Sequence, residues 1–262
     1  MSTTRAGRPG TPQRSGPWVS AFDRDTAMRL AATEYERLAD LLVELGPDDW
    51  RQPTECTGWD VRPTAGHCVG MAQMVTGLRE TARQTVISTR AAKRSGKPQV
   101  DELTALQVRE QARVPDEMIA TLMRKTGRAA VAGRARMPGL LRRLSIPQDG
   151  GGETEKWRLG FLTDTILTRD PWMHRGDISR ATGRELKLTA EHDGLIVADV
   201  VAEWSIRHGQ PFALVLTGAA GGRWQVGEAG ARLALDAVEF CRALSGRGDA
   251  AHSGLLATAV PF

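Results

Sequence analysis

The chain of 262 residues is 41% hydrophobic and 25% charged, which is ordinary for a globular protein and long enough for one large domain or two small ones. No run is apolar for long enough to span a bilayer, and three cysteines without a CxxC pair argue against both a disulfide scaffold and a thiolate zinc site. The net charge of +4 raises nucleic acid as a partner, but the basic residues are scattered among Asp and Glu, so neither nucleic acid nor membrane is expected.

Residues 1–17 are rich in Gly, Pro, Ser, Thr and Arg and read as a flexible tail, no secretory signal is expected, and the odd, sparse cysteines fit a reducing cytoplasm. From Phe22 to Leu45, apolar residues at helical spacing predict a first helix, stopped by Gly46-Pro47. A turn at Asp48-Asp49-Trp50 and a loop from Pro53 to Asp60 follow. Asp60 is the expected N-cap of a second helix running to about residue 90, with Pro63 in its first turn and His67 near its start.

Ser95-Gly96-Lys97-Pro98 reads as a loop, and a third helix is expected from about Asp101 to Met123 or beyond. Residues 133–156, broken by Pro138-Gly139, Pro147 and Gly150-Gly151-Gly152, read as a long loop with a short helical piece. A fourth helix spans about 157–181, ended by Gly183, with Pro171 expected to kink it. Residues 190–208 read as helix, 212–217 and 223–226 as strands, Ala231 to Leu244 as an amphipathic helix and 255–260 as a last strand. The domains are therefore the tail 1–17, a four-helix domain 18–184 and a small α/β domain 185–262.

The chemistry concentrates in Arg169-Asp170-Pro171-Trp172-Met173-His174-Arg175-Gly176-Asp177. Four residues apart on a helix, Asp170 and His174 project from one face and can grip one metal ion. His67 is the third candidate ligand, and two imidazoles with one carboxylate leave a coordination position open, as in a catalytic rather than a structural site. Taken singly, His67 reads as a capped or core histidine and Asp170–His174 as an ordinary surface pair.

Of the other groups, Cys68 is rotated about 100° from His67 and reads as buried filler, and Cys56 as packing or capping. Asp177 is either a hydrogen-bond partner behind the site or an ion pair with an arginine. Trp59 and Trp172 read as core or pocket wall, Trp204 and Trp224 as core, and His192, His208 and His252 as surface residues. The basic residues Arg124, Lys125, Arg128, Arg134, Arg136, Arg142 and Arg143 could attract an anionic small molecule but read mainly as a solvated face and loop.

Two runs carry a family resemblance. Asp49-Trp50, Pro53 to Arg62 and His67 resemble the N-terminal signature of the mycothiol-dependent maleylpyruvate isomerase-like proteins, and Arg169 to Asp177 resembles the second. The ending Gly254-Leu255-Leu256 to Val260-Pro261-Phe262 is similar to the family's C-terminus, so the resemblance covers about residues 20–262.

It implies a DinB-like up-and-down four-helix bundle followed by a small α/β sterol-carrier-protein-like domain. It also implies a divalent metal, zinc foremost, on His67, Asp170 and His174, with Asp where the best-known member has Glu. An arginine of the C-terminal domain is implied in catalysis, with Arg247 the best match and Arg242 the second.

The activity implied is that of a metal-dependent S-transferase or cis–trans isomerase using mycothiol as thiol cosubstrate on a small electrophile. A metal-dependent hydrolase and a non-catalytic metal- or ligand-binding protein are the competing readings. Sparse lysines with abundant Arg, Ala and Gly fit a high-GC, actinobacterial coding sequence, and a monomer or homodimer is expected.

Overall fold

The computed structural model describes residues 16–150, 153–248 and 254–262. The proposed tail up to residue 15, the Gly151-Gly152 pair and His252 lie outside the described residues. The chain divides into a larger helical unit, residues 18–148 with 156–187, and a smaller unit, residues 188–261 with 149–155. No described helix is long and apolar enough to cross a membrane.

In the helical unit, Asp23 caps α1 (Arg24–Val43) by accepting from the Thr26 amide at 2.8 Å, and Leu30, Tyr35, Leu38 and Leu42 form its buried stripe. Asp60 caps α2 (Val61–Met74) through the Arg62 amide, as its position before Val61 predicts. The expected second helix is in fact two, because the chain leaves α2 at Val75-Thr76-Gly77 and restarts as α3 (Leu78–Ser95). The expected third helix also breaks, giving α4 (Gln99–Gln111) and α5 (Asp116–Arg136), since Pro115 has no amide hydrogen to continue the first.

Helices α1, α5 and α2 pack in succession, and α8 (Leu167–Thr182) closes the ring against α1 and α2. Ala31, Leu38, Val69, Ala72, Ile119, Met123 and Ile178 fill this four-helix core. Helices α3 and α4 form a hairpin on the outside of α2. Gly70 makes that approach possible, because a Cβ there would lie 2.6 Å from the Gln107 Cβ. The glutamines behind it bond each other, Gln107 Nε2 donating to Gln84 Oε1 at 3.0 Å and Gln111 Nε2 to Gln73 Oε1 at 2.9 Å.

The segment expected to be a long loop is largely ordered. It holds the single turn α6 (Gly139–Arg142), then strands β1 (Ser145–Gly150) and β2 (Glu153–Arg158) in a two-stranded sheet, then the turn α7 (Leu159–Phe161). Its prolines and glycines fall at turns and strand ends, which a loop reading does not distinguish. Leu162–Ile166 then winds as π-helix into α8. Buried Asp164 in that segment takes the Arg142 guanidinium on both oxygens, Nη1 to Oδ1 at 2.9 Å.

In the smaller unit, α9 (Leu195–His208) precedes a three-stranded sheet in the order β4-β3-β5. Strand β3 (Phe212–Thr217) runs antiparallel to β4 (Gly222–Val226), Leu214 opposite Trp224, and parallel to β5 (Ala231–Asp236), Leu214 opposite Leu233. Residues 231–244 are thus a strand followed by the shorter helix α10 (Ala237–Leu244), not one helix. Asp236 marks the change by capping the Val238 and Glu239 amides.

Residues 254–257 form a 3-10 turn, and no strand occurs among the described residues after it. Trp204 is the core as expected, with ring centroids 4.8 Å from Phe212 and 5.2 Å from Phe240. Trp224 is only partly buried, on an outer strand. His192 and His208 are buried, contrary to the surface reading, which rested only on their lack of partners at ligand spacing. The parts are thus a four-helix core with an α3–α4 hairpin and a small α/β unit.

Candidate metal centre

His67 reaches the site from the second turn of α2, and Asp170 and His174 from successive turns of α8. His67 is more than a hundred positions from the other two, and the packing of α2 on α8 brings it to them. Nε2 of His67 lies 3.4 Å, and Nε2 of His174 3.6 Å, from the same oxygen of Asp170, Oδ1. The three donor atoms all lie within 4.8 Å of one another.

Such separations are long for hydrogen bonds, whose N···O distance is ordinarily about 2.9 Å. They match the edge of a coordination tetrahedron, about 3.4 Å for metal–ligand bonds of ~2.1 Å. The donor set therefore fits a divalent ion of zinc type. The imidazoles stand edge to face, centroids 5.3 Å apart, and Trp59 lies beside both, 5.5 Å from His67 and 6.5 Å from His174.

Asp177 lies behind His174, one turn further along α8, and its side chain is fully buried. Its Oδ2 is 3.1 Å from Nδ1 of His174, which makes Asp177 a hydrogen-bond partner of the site residue. Because a carboxylate accepts, Nδ1 donates in that bond, and the ring is held with Nε2 toward Asp170 and His67. Burial pushes the His174 pKa down, but the Asp170 charge and the Asp177 hydrogen bond outweigh it and raise it to about 10. Next in sequence, Arg175 makes a buried bidentate pair with Glu34 of α1, at 2.7 and 3.1 Å, and so clamps α8 at the site.

The loop before α2 supplies the other near wall. The Trp59 amide donates to the Cys56 carbonyl at 2.9 Å, and Gly58 sits at φ +79°, the third position of a type II turn. This turn carries Trp59 and Cys56 into the site. Cys56 Sγ is 3.6 Å from His174 Nδ1 and 3.5 Å from Asp177 Oδ2. Reading Cys56 as packing or capping missed this contact, because a loop residue 118 positions from His174 has no spacing signal. Cys68 is fully buried in the helical core, and burial pushes its thiol well above the ordinary value.

A cavity of about 710 Å³ opens over Trp59, His67, Asp170 and His174, and its opposite wall is α4, through Asp101, Thr104, Ala105, Val108 and Arg109. This is the size of a small-molecule site. The α4 wall was missed from the sequence, where its only signal is a stripe at helical spacing free of large apolar residues.

The basic stretch is largely consumed internally. Arg124 pairs with Glu36 and Asp40, Arg128 with Glu36, Arg142 with Asp164, and Arg134 is fully buried. In the smaller unit, Arg242 is buried on α10 with Glu239 Oε2 at 3.2 Å, and Arg247 is half-buried in the turn after it.

The family model described as the mycothiol maleylpyruvate isomerase N-terminal domain matches residues 31–179, more than half of the chain. Among solved structures, the crystal structure of the mycothiol-dependent maleylpyruvate isomerase is similar at 13% identity, with a TM-score of 0.55 over 87% of this chain and 90% of that one. A mutant of that enzyme with a histidine replaced by alanine is similar at 12% identity, with a TM-score of 0.54 over the same shares. At such identities the likeness speaks for the fold. No curated protein matches the sequence. The matched stretch contains both signature runs and all three converging side chains, and the chain belongs to the mycothiol maleylpyruvate isomerase N-terminal domain family.

Proposed function

We propose that His67, Asp170 and His174 hold one divalent metal, zinc foremost, and that the chain is an enzyme that uses mycothiol on a small electrophile. The observation that carries this reading is the convergence of two imidazole nitrogens on one carboxylate oxygen, at 3.4 and 3.6 Å, beneath a cavity in a domain of this family. A metal held there lowers the pKa of a bound thiol and keeps it as the nucleophilic thiolate at neutral pH.

The protein's own part is positioning. Asp177 holds the His174 ring by its Nδ1 proton, Arg175 and Glu34 lock the helix behind it, and Trp59 screens one side of the imidazoles from water. The cavity then sets the electrophilic carbon against the sulfur. From the smaller unit, Arg247 foremost and Arg242 second are assigned to stabilise negative charge developing on the substrate. Two outcomes share this machinery: the thiol adds to a conjugated double bond and leaves after rotation, or it stays attached as product.

The test is isothermal titration of mycothiol into zinc-loaded wild type and His174→Ala. Binding to wild type that disappears in the variant is expected. Absence of binding to the metal-replete wild type would overturn the thiol reading and leave hydrolysis or a non-catalytic role. Maleylpyruvate turnover with product of unchanged mass then separates isomerisation from transfer.

A further inference from the structure

The cavity wall on α4 carries charge that the proposed chemistry does not use. Asp101, Thr104, Ala105 and Val108 recur at i, i+3, i+4 and i+7, one face of the helix, and Arg109 flanks that face. Arg109 is the only lysine or arginine among the residues lining the cavity. The residues three and four positions away, Ala105 and Leu106 on α4 and Ala112 and Arg113 just past its end, include no carboxylate. Adjacent Glu110 is engaged elsewhere, with both its oxygens on Arg83. Among the described residues no carboxylate lies within ion-pair distance of Arg109, whereas Arg62 and Arg83 nearby are paired. Asp101 stands at the other end of the stripe, about 12 Å away along the axis at 1.5 Å per residue.

An acid in the first turn of a helix and a base in the last suit the helix dipole, and that alone is a structural use for both. It does not account for their facing one cavity with the metal-binding cluster on its other wall.

We propose that Arg109 is a specificity-determining residue that selects substrates bearing a carboxylate. It holds the carboxylate at its end of α4, and Asp101 repels it from the other, so an anionic electrophile lies along the wall in one orientation. The inference rests on the proposed enzyme reading only for the identity of the reacting end, because recognition of the carboxylate needs no thiol.

The test is equilibrium binding of maleate and of its uncharged dimethyl ester to the metal-loaded full chain, in wild type, Arg109→Gln and Asp101→Asn. Wild type is expected to prefer maleate about tenfold, the yield of a charge-assisted contact at a solvated site. Arg109→Gln should abolish that preference with ester binding unchanged, and Asp101→Asn should increase it a few-fold. Equal binding of the two ligands by wild type, or an undiminished preference in Arg109→Gln, would overturn the proposal. An unchanged preference in Asp101→Asn would overturn the orienting part. Mycothiol titrated into the same proteins keeps the readings apart: loss of mycothiol binding with an Arg109-dependent preference sinks the thiol reading and leaves this one standing.

Discussion

The guanidinium of Arg134 donates to the carbonyl of Leu167 at 3.3 Å, the oxygen that an ordinary helix would pair with the amide of residue 171. Residue 171 is proline and has no such hydrogen. Tyr35 Oη adds a second, longer bond to the same carbonyl at 3.4 Å, and Arg134 Nη2 reaches Thr168 Oγ1 at 2.8 Å. Helix α8 therefore continues through Pro171 and delivers Asp170 and His174 on successive turns.

This relationship predicts coupling between residues 134 and 171. Arg134→Met should destabilise the protein by about 1–3 kcal/mol, since it leaves a buried carbonyl short of a donor. Pro171→Ala in the same chain restores a helical amide and should recover about 1 kcal/mol. Urea unfolding of the two single variants and the double variant measures it, and strict additivity would refute the coupling.

Asp177 touches the proposed ligand His174 at Nδ1, the nitrogen that faces away from Asp170 and His67. Asp177→Asn should weaken zinc binding about 10–100-fold with the three proposed ligands intact. Competition with a chromophoric chelator reads this directly. An affinity equal to wild type would mean that the bond to Nδ1 does not tune the site.

Cys56 is half-buried at the cavity, whereas Cys68 and Cys241 are fully buried. Native protein should present one fast-reacting thiol to a disulfide reagent, absent in Cys56→Ala, and two more after denaturation. Because Sγ approaches Nδ1 of His174 rather than Nε2, Cys56→Ala should also retain the metal. More than one fast thiol in native protein would contradict the burial.

Gly70→Ala places a methyl group where the Gln107 side chain already stands. The α3–α4 hairpin must move from α2, at a cost of about 1–3 kcal/mol. The denaturant midpoint should fall while zinc stoichiometry is kept, since the proposed ligands lie on α2 and α8. A midpoint equal to wild type would show that the hairpin yields freely.

His208 is buried between Trp204 and Phe212, and its Nδ1 accepts from the Gln210 amide at 2.9 Å. Burial lowers its pKa, so protonation favours the unfolded chain. The contribution of the neutral ring is complete above the unfolded value of about 6.5 and is lost as pH falls through the lower folded value. Between pH of about 7.5 and 5, the urea midpoint should therefore drop more in wild type than in His208→Asn. Equal drops would assign the acid sensitivity to other groups.

Some features were legible because their signals are local. Asp60 before Val61 announces a cap, Gly183 an ending, and the Asp170–His174 interval one helical face. His67 was recognisable only because both signature runs were present together. By contrast, the stretch from Ala231 to Asp236 has a composition equally fit for helix, and only the parallel ladder to β3, nearly twenty residues upstream, makes it a strand. The helix breaks at Gly77 and Pro115 carried a local signal, a glycine and a proline, that the reading of two longer helices passed over.

The sequence by itself determined most of the helical stretches, the Asp60 cap and the Gly183 ending, and it nominated three candidate metal ligands, since periodicity and capping act within a few residues. The tertiary structure alone decided what surrounds them: Cys56 behind His174, Arg134 beneath Pro171, and the α4 wall across the cavity. Those relations join residues tens of positions apart, and close packing between helices fixes them rather than any local preference of the chain.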